Sequence, residues 1–204
     1  MENDIVLGGR PLRVVGDHVR RYCGLTWSGG DPEVWAYPFY DTLRDDDPDR
    51  VSETDLISVA AVHPSITRAD LVWFVEVREQ LDQILTTIDP TVGLGDADAH
   101  LIEAVARLAC CSSGRLALAT RVLHRKRPRA VPLFGKHLVE RYHHRLERRG
   151  EACWPALLEN LAGDVGSEQN RNSLAELRDE LSSELDPVPS DLRLIDIAIW
   201  MEAR

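Results

Sequence analysis

Apolar positions along this chain recur at intervals of three and four, the period of an amphipathic helix, almost from end to end. Leu12, Val15, Val19 and Tyr22 share that spacing, loosened by Gly16. A glycine- and proline-bearing loop comes next at Trp27–Pro32, and Asp45–Asp49 reads as a solvated acidic turn. Ser52 and Asp55 then form a capping-box start, with aspartate in the place of the usual glutamate. The helix they open has Leu56, Val59 and Ala60 on one face and stops at Pro64. The longest stripe is Leu71, Phe74, Val75, Leu81, Ile84, Leu85 and Ile88, entered at Thr67 and Asp70 and ended by Asp89–Pro90. Leu101, Val105 and Leu108 mark a helix entered at Asp96 or Asp98, and Leu116, Ala119, Val122 and Leu123 mark another. After a connector framed by Pro128 and Pro132, Leu138, Tyr142 and Leu146 predict a helix running up to a C-cap at Gly150. Trp154–Pro155 opens a short helix with Leu157, Leu158 and Leu161. Ser173 and Glu176 make a capping box for Leu174, Leu177 and Leu181. Asp186–Pro189 breaks the chain, and Ser190 caps a last helix with Leu192, Ile195 and Ile199. Strand-like stretches are short: Ile5–Leu7 and Val131–Phe134 are the two candidates. The pattern predicts an all-α, single compact multi-helix domain over residues 1–204, loop-rich over 1–50 and helical over 51–204.

Composition narrows the class. Of the 204 residues, 44% are hydrophobic and 28% charged, which argues against disorder and against a collagen-like chain. No apolar run approaches the ~20 residues of a membrane helix. The start of the chain has no basic segment ahead of a long apolar one. Cys23, Cys110, Cys111 and Cys153 fit neither a zinc pattern nor a disulfide framework. A cytoplasmic protein without membrane span or cofactor is the expectation. Only Lys126 and Lys136 among the 24 basic residues are lysines, a bias that points to a GC-rich bacterial genome.

Charge changes the picture more. The net charge is -10, yet residues 121–149 hold ten basic and two acidic side chains, a local +8 that leaves -18 elsewhere. Arg121, Arg125, Lys126, Arg127 and Arg129 fall within nine residues, Pro128 and Pro132 stiffen the adjoining connector, and Lys136 comes soon after. A rigid basic turn suits phosphate, since guanidinium offers a planar fork to its oxygens. These six side chains are the candidate contacts to nucleic acid or another phosphate-bearing ligand. The competing reading pairs them with the protein's own acids. His124, His137, His143 and His144 lie in the same stretch, but no third ligand joins the His143–Glu147 or His137–His144 spacings, so no metal site is expected. Adjacent Cys110 and Cys111 point to different faces, one of them toward the core. Trp73, Trp154 and Trp200 sit in apolar stripes, while Trp27 and Trp35 lie where they could stack on a base. Three carboxylates keep apolar company: Asp55 and Asp70, which also cap helices, and Asp196. A buried Asp196 needs a cation, expected from the basic segment. Asp196 and His124 are the acid–base candidates. Nucleophile-elbow, phosphate-loop, dinucleotide and zinc-protease motifs are missing.

The pattern Leu123–His124, Lys126–Pro128 and Val131–Phe134, with Asp55–Leu56 and the closing Leu192–Met201, resembles an actinobacterial domain family of unknown function. The likeness covers most of residues 40–201 and implies no activity. The same centre is distantly similar to helix-hairpin-helix DNA glycosylases, in which a glycine-bearing hairpin, a helix and a proline-containing loop deliver an aspartate. Ser113–Gly114 stands in the hairpin's place and Val131–Lys136 in the loop's, with Gly135 where the aspartate is expected and no hairpin lysine. This resemblance implies binding with catalysis weak or lost. Three classes stay open: a nucleic-acid-associated protein; an enzyme acting on a small anionic molecule in specialised metabolism; and an interaction or regulatory module that docks a protein partner or a second copy. For the enzyme, the pocket is expected between the basic turn and the last helix.

Overall fold

In this computed structural model, which describes residues 5–26, 37–43, 47–63 and 65–203, a two-stranded hairpin precedes a set of α-helices. The chain runs through β1 (Ile5–Leu7), β2 (Arg10–Leu12), α1 (Val15–Tyr22), α2 (Glu53–Val59), α3 (Arg68–Thr86), α4 (Ala99–Ala106) and α5 (Leu108–Cys111). It continues through α6 (Leu116–Lys126), α7 (Lys136–Tyr142), α8 (Trp154–Val165), α9 (Glu168–Leu181) and α10 (Asp191–Glu202). One π turn, Tyr37–Asp41, and 3-10 turns at Leu94–Asp96, His143–Arg145 and Gly150–Cys153 join them.

Polar caps set the helix starts. Ser52 with Asp55 and Thr67 with Asp70 form the two expected capping boxes, and Asp98 and Ser190 cap α4 and α10 by accepting first-turn N–H groups. Helix α10 is apolar on nearly every side: Leu192, Leu194, Ile195, Ile197, Ala198, Ile199 and Met201 are all buried. Such a helix belongs inside. It packs on α1 and α7, while α6 packs on α2, α3 and α5, and α8 on α4. One continuous core runs from Ile5 to Met201 and includes Trp73 and Trp154; the Trp154 indole N–H donates to the Val105 carbonyl at 3.1 Å.

Several local expectations change. Ile5–Leu7 does pair, antiparallel with Arg10–Leu12, so Leu12 belongs to β2 rather than to α1. Val131–Phe134 is an extended connector outside the sheet. Ala60 is exposed. On α3 the buried face is Trp73, Phe74, Val77, Leu81, Ile84 and Leu85, and Leu71 and Val75 face outward. The basic helix ends at Tyr142, and Gly150, left-handed at φ 61°, opens a 3-10 turn instead of closing a helix. Ser173 lies buried inside α9, whose cap is Ser167, placed by the break at Gly166. Of the adjacent cysteines, Cys110 is exposed and Cys111 is half-buried against the core, while Cys153 is buried. Trp27, Trp35, Asp45, Asp46 and Pro64 lie outside the described residues.

Candidate functional site

The last turn of α6 carries His124, Arg125 and Lys126, where the helix dipole favours positive charge. The surroundings of those charges decide their use. Buried Asp55, already a partner in the α2 capping box, sits 3.0 Å from Arg125 Nε and 2.9 Å from Lys126 Nζ. Arg125 also donates to the Tyr40 and Leu43 carbonyls, and Lys126 to the Asp47 carbonyl at 2.7 Å. Arg127 uses all five of its N–H groups: Nε on the Ile88 carbonyl, Nη1 on Pro48 and Lys126, Nη2 on Leu85 and the Asp49 carboxylate. It is 2% exposed. The expectation that Arg125, Lys126 and Arg127 reach out to phosphate is therefore corrected, because their donors face inward. Asp49 belongs to this pairing, so the acidic turn is not simply solvated.

The other three candidates differ. Arg121 is half-buried and donates to the Ala117 and Phe134 carbonyls at 2.6 and 3.1 Å. Lys136 is exposed, 3.6 Å from Glu140. Arg129 is exposed, and its side chain has no hydrogen-bond or ion-pair partner among the described residues.

A second cluster gathers on α10. Arg193, 3% exposed, meets Asp41 at 2.7 Å, contacts Asp196 and the Tyr22 hydroxyl, and lies over the Tyr22 and Tyr40 rings at 4.9 Å each. Burial works against the Arg193 charge, but Asp41, Tyr22 and Asp196 outweigh it and hold its pKa well above the ordinary value. Burial raises the Asp196 pKa, opposed by Arg193 and Arg121. The contact partner of Asp196 is thus Arg193, one turn before it on the same helix, and Arg121 acts only at longer range.

Between these clusters lies a cleft of about 730 Å³. It is lined by Tyr40, His124 and the basic turn, by Gly93–Asp96, by Arg171 and Arg178 of α9, and by Pro187–Arg193. This is the expected place, between the basic turn and the last helix. His124 lines it; Asp196 does not, and touches it only through Arg193. Six cations (Arg125, Lys126, Arg129, Arg171, Arg178, Arg193) face four carboxylates (Asp41, Asp55, Asp96, Asp191). The helix N-terminus at Ser190 adds positive potential, partly offset by Asp191 in its first turn.

His124 is the group with chemistry. Its Nδ1 lies 2.7 Å from the Val131 carbonyl, which can only accept, so Nδ1 carries the proton and Nε2 holds a lone pair. The ring stacks on Tyr40 at 6.2 Å and 10°. Burial pushes its pKa down to about 4, against the pull of the Val131 bond, so it is neutral at pH 7.

Sequence reading found His124 and the basic turn but missed Tyr40, Arg171, Arg178 and Arg193. Only Arg193 left a signal: an arginine three residues before a carboxylate in an otherwise apolar helix. Among the described residues no three His, Cys, Asp or Glu side chains gather as metal ligands.

The turn between α5 and α6 has Ser113 and Gly114 both left-handed, at φ 50° and 81°. The Val131–Lys136 loop carries no carboxylate, and a methyl group on Gly135 would stand 3.8 Å from Arg121 Nη2. No described helix is long and apolar enough to cross a membrane. No curated protein and no solved structure matches the chain. The profile of one family of unknown function, DUF6308, matches residues 15–203, a span that contains every residue lining the cleft, and the chain belongs to that family.

Proposed function

We propose that this protein acts on a small anionic molecule, bearing phosphate or carboxylate, held in the cleft between the basic turn and the start of α10. One observation carries the reading: the cleft is lined by six cations against four carboxylates, on a chain whose net charge is -10. Arg129, the lining cation without a partner among the described residues, meets the ligand's charge. His124 Nε2 takes up a proton from solvent as the ligand binds. An anion beside the ring favours the imidazolium, so binding draws the His124 pKa up from about 4 and a proton is taken up with the ligand. Calorimetric titration with inorganic phosphate, pyrophosphate and citrate, in two buffers of different ionisation enthalpy at pH 6, tests this. Sub-millimolar binding with proton uptake is expected. Arg129→Ala should weaken it about 10-fold or more, the worth of one charged hydrogen bond. Silence toward all three anions at low salt would sink the reading.

A second reading keeps the chain with nucleic acid. Exposed Arg145, Arg148 and Arg149 come after α7, and a side chain on Gly9 of the hairpin turn would stand 3.4 Å from Arg145 Nη2. The Ser113–Gly114 turn agrees with the glycosylase likeness, and the bare Gly135 agrees with weak or lost catalysis. Anisotropy of labelled DNA, with affinity falling steeply as salt rises, would favour it.

A further inference from the structure

Helix α3 turns its best-packed face inward and still carries aliphatic side chains on the opposite one. Val72 is 51% exposed, Val75 76% and Leu71 48%. Isolated apolar residues on a surface need no account, but these sit side by side on a regular helix, with no described element covering them. The stripe pointing straight away from the core reads Arg68, Val72, Val75, Glu79, with spacings of four, three and four. That order is a palindrome in position and complementary in charge. Neither Arg68 nor Glu79 has an ion-pair partner among the described residues.

We propose that a second copy of this chain docks across α3, with the two helices antiparallel about a twofold axis between Val72 and Val75. A twofold relation exchanges equivalent positions, so each contact occurs twice. Val72 then packs on Val75 of the second copy, and Val75 on its Val72. Arg68 and Glu79 stand equally far from the axis, about 8 Å along the helix at 1.5 Å per residue. Arg68 of each copy therefore meets Glu79 of the other, closing both ends of the apolar centre. Leu71 extends that centre along one flank. A parallel arrangement would set Arg68 against Arg68 and Glu79 against Glu79, so charge selects the antiparallel one. The surface is small, below the ~1,200 Å² of a standard interface, which predicts a reversible dimer in the micromolar range. The cleft lies elsewhere on the molecule, so this inference stands or falls apart from the ligand reading.

Sedimentation velocity from about 1 to 300 µM is the test. The wild-type chain should shift from monomer to dimer across that range. Val75→Asp should hold it monomeric. Arg68→Glu and Glu79→Arg alone should each weaken the dimer at least 10-fold, since each puts like charges together twice. The double reversal, Arg68→Glu with Glu79→Arg, should restore it. All three substituted positions are exposed, so circular dichroism should be unchanged. A wild-type chain that stays monomeric overturns the proposal, whatever other partner covers the face. A dimer indifferent to Val75→Asp and to the single reversals overturns it as well, because its interface is elsewhere.

Discussion

Arg127 holds five acceptors that come from three different parts of the chain. Removing the side chain strands the carbonyls of Ile88 and Pro48, leaves the Leu85 carbonyl only the Ile88 N–H, and breaks the ion pair to the largely exposed Asp49 carboxylate. Arg127→Ala should cost about 3–5 kcal/mol, the range for breaking a buried charged site. Arg127→Lys should recover little of it, because an ammonium offers three donors on one atom and lacks the planar fork. Urea unfolding of both variants measures this; wild-type stability in either would mean that water replaces the side chain. A run of arginines beside a surplus of acids made internal pairing readable in the sequence. The particular acceptor was not, since Asp49 lies 78 residues before Arg127 and nothing local links them. Asp55 shows the converse: its capping role was legible three residues away from Ser52, and its two cation contacts, 70 residues on at Arg125, were not.

Elements were predicted well where a cap and a stripe agreed, and poorly where two local signals competed. The Ser173–Glu176 pattern has the chemistry of a cap, but Ser167 beside Gly166 takes the role and leaves Ser173 buried within α9. Helix α3 has apolar residues on both faces, so periodicity found the helix and the packing of α5 and α6 chose which face to bury. The junction of α8 and α9 positions the cleft. A side chain on Gly166 would come within 2.5 Å of the Gly95 carbonyl, and one on Gly95 within 3.1 Å of Val165. The 3-10 turn therefore rests backbone to backbone on the end of α8, and Gly95 and Val165 both line the cleft. Gly166→Ala has an acceptable φ of -76° and fails on space alone. It should destabilise by about 1–3 kcal/mol, as overpacking does, and weaken anion binding by displacing Leu94–Asp96. Thermal melting and the phosphate titration report the two effects separately; an unchanged melt would show that the turn gives way freely.

Across the whole molecule the two ends of the chain are tied together. Asn170 of α9 accepts from the Val6 N–H at 2.8 Å and donates to its carbonyl at 2.7 Å, replacing a strand neighbour for β1. Glu202 accepts from the Arg13 N–H and from Arg141. Stability should depend on pH through the groups this enclosure shifts. His124 titrates near 6.5 when unfolded and about 4 when folded. Between those values the unfolded chain binds the extra proton, so stability is lost as pH falls from about 6.5 toward 4. Lowered His63 acts in the same sense, and raised Asp196 in the opposite one. At pH 5 the His124 share is about 2 kcal/mol. His124→Gln should flatten the fall in urea midpoint between pH 7 and 5; an unaltered slope would remove His124 as its source.

Residue order alone is enough to place the helices, most of their caps, the apolar last helix that becomes the core, and a basic segment facing a surplus of acid. Those features rest on interactions between residues three or four apart, or on summed composition, and both are printed in the order of residues. Long-range packing selects which acids close over Arg125–Arg127 and which face of α3 remains uncovered, and it brings Tyr40, His124, Arg171, Arg178 and Arg193 to one cleft. Those outcomes depend on packing between elements tens of residues apart, where many pairings satisfy the same local pattern and the shape of the shared core selects one.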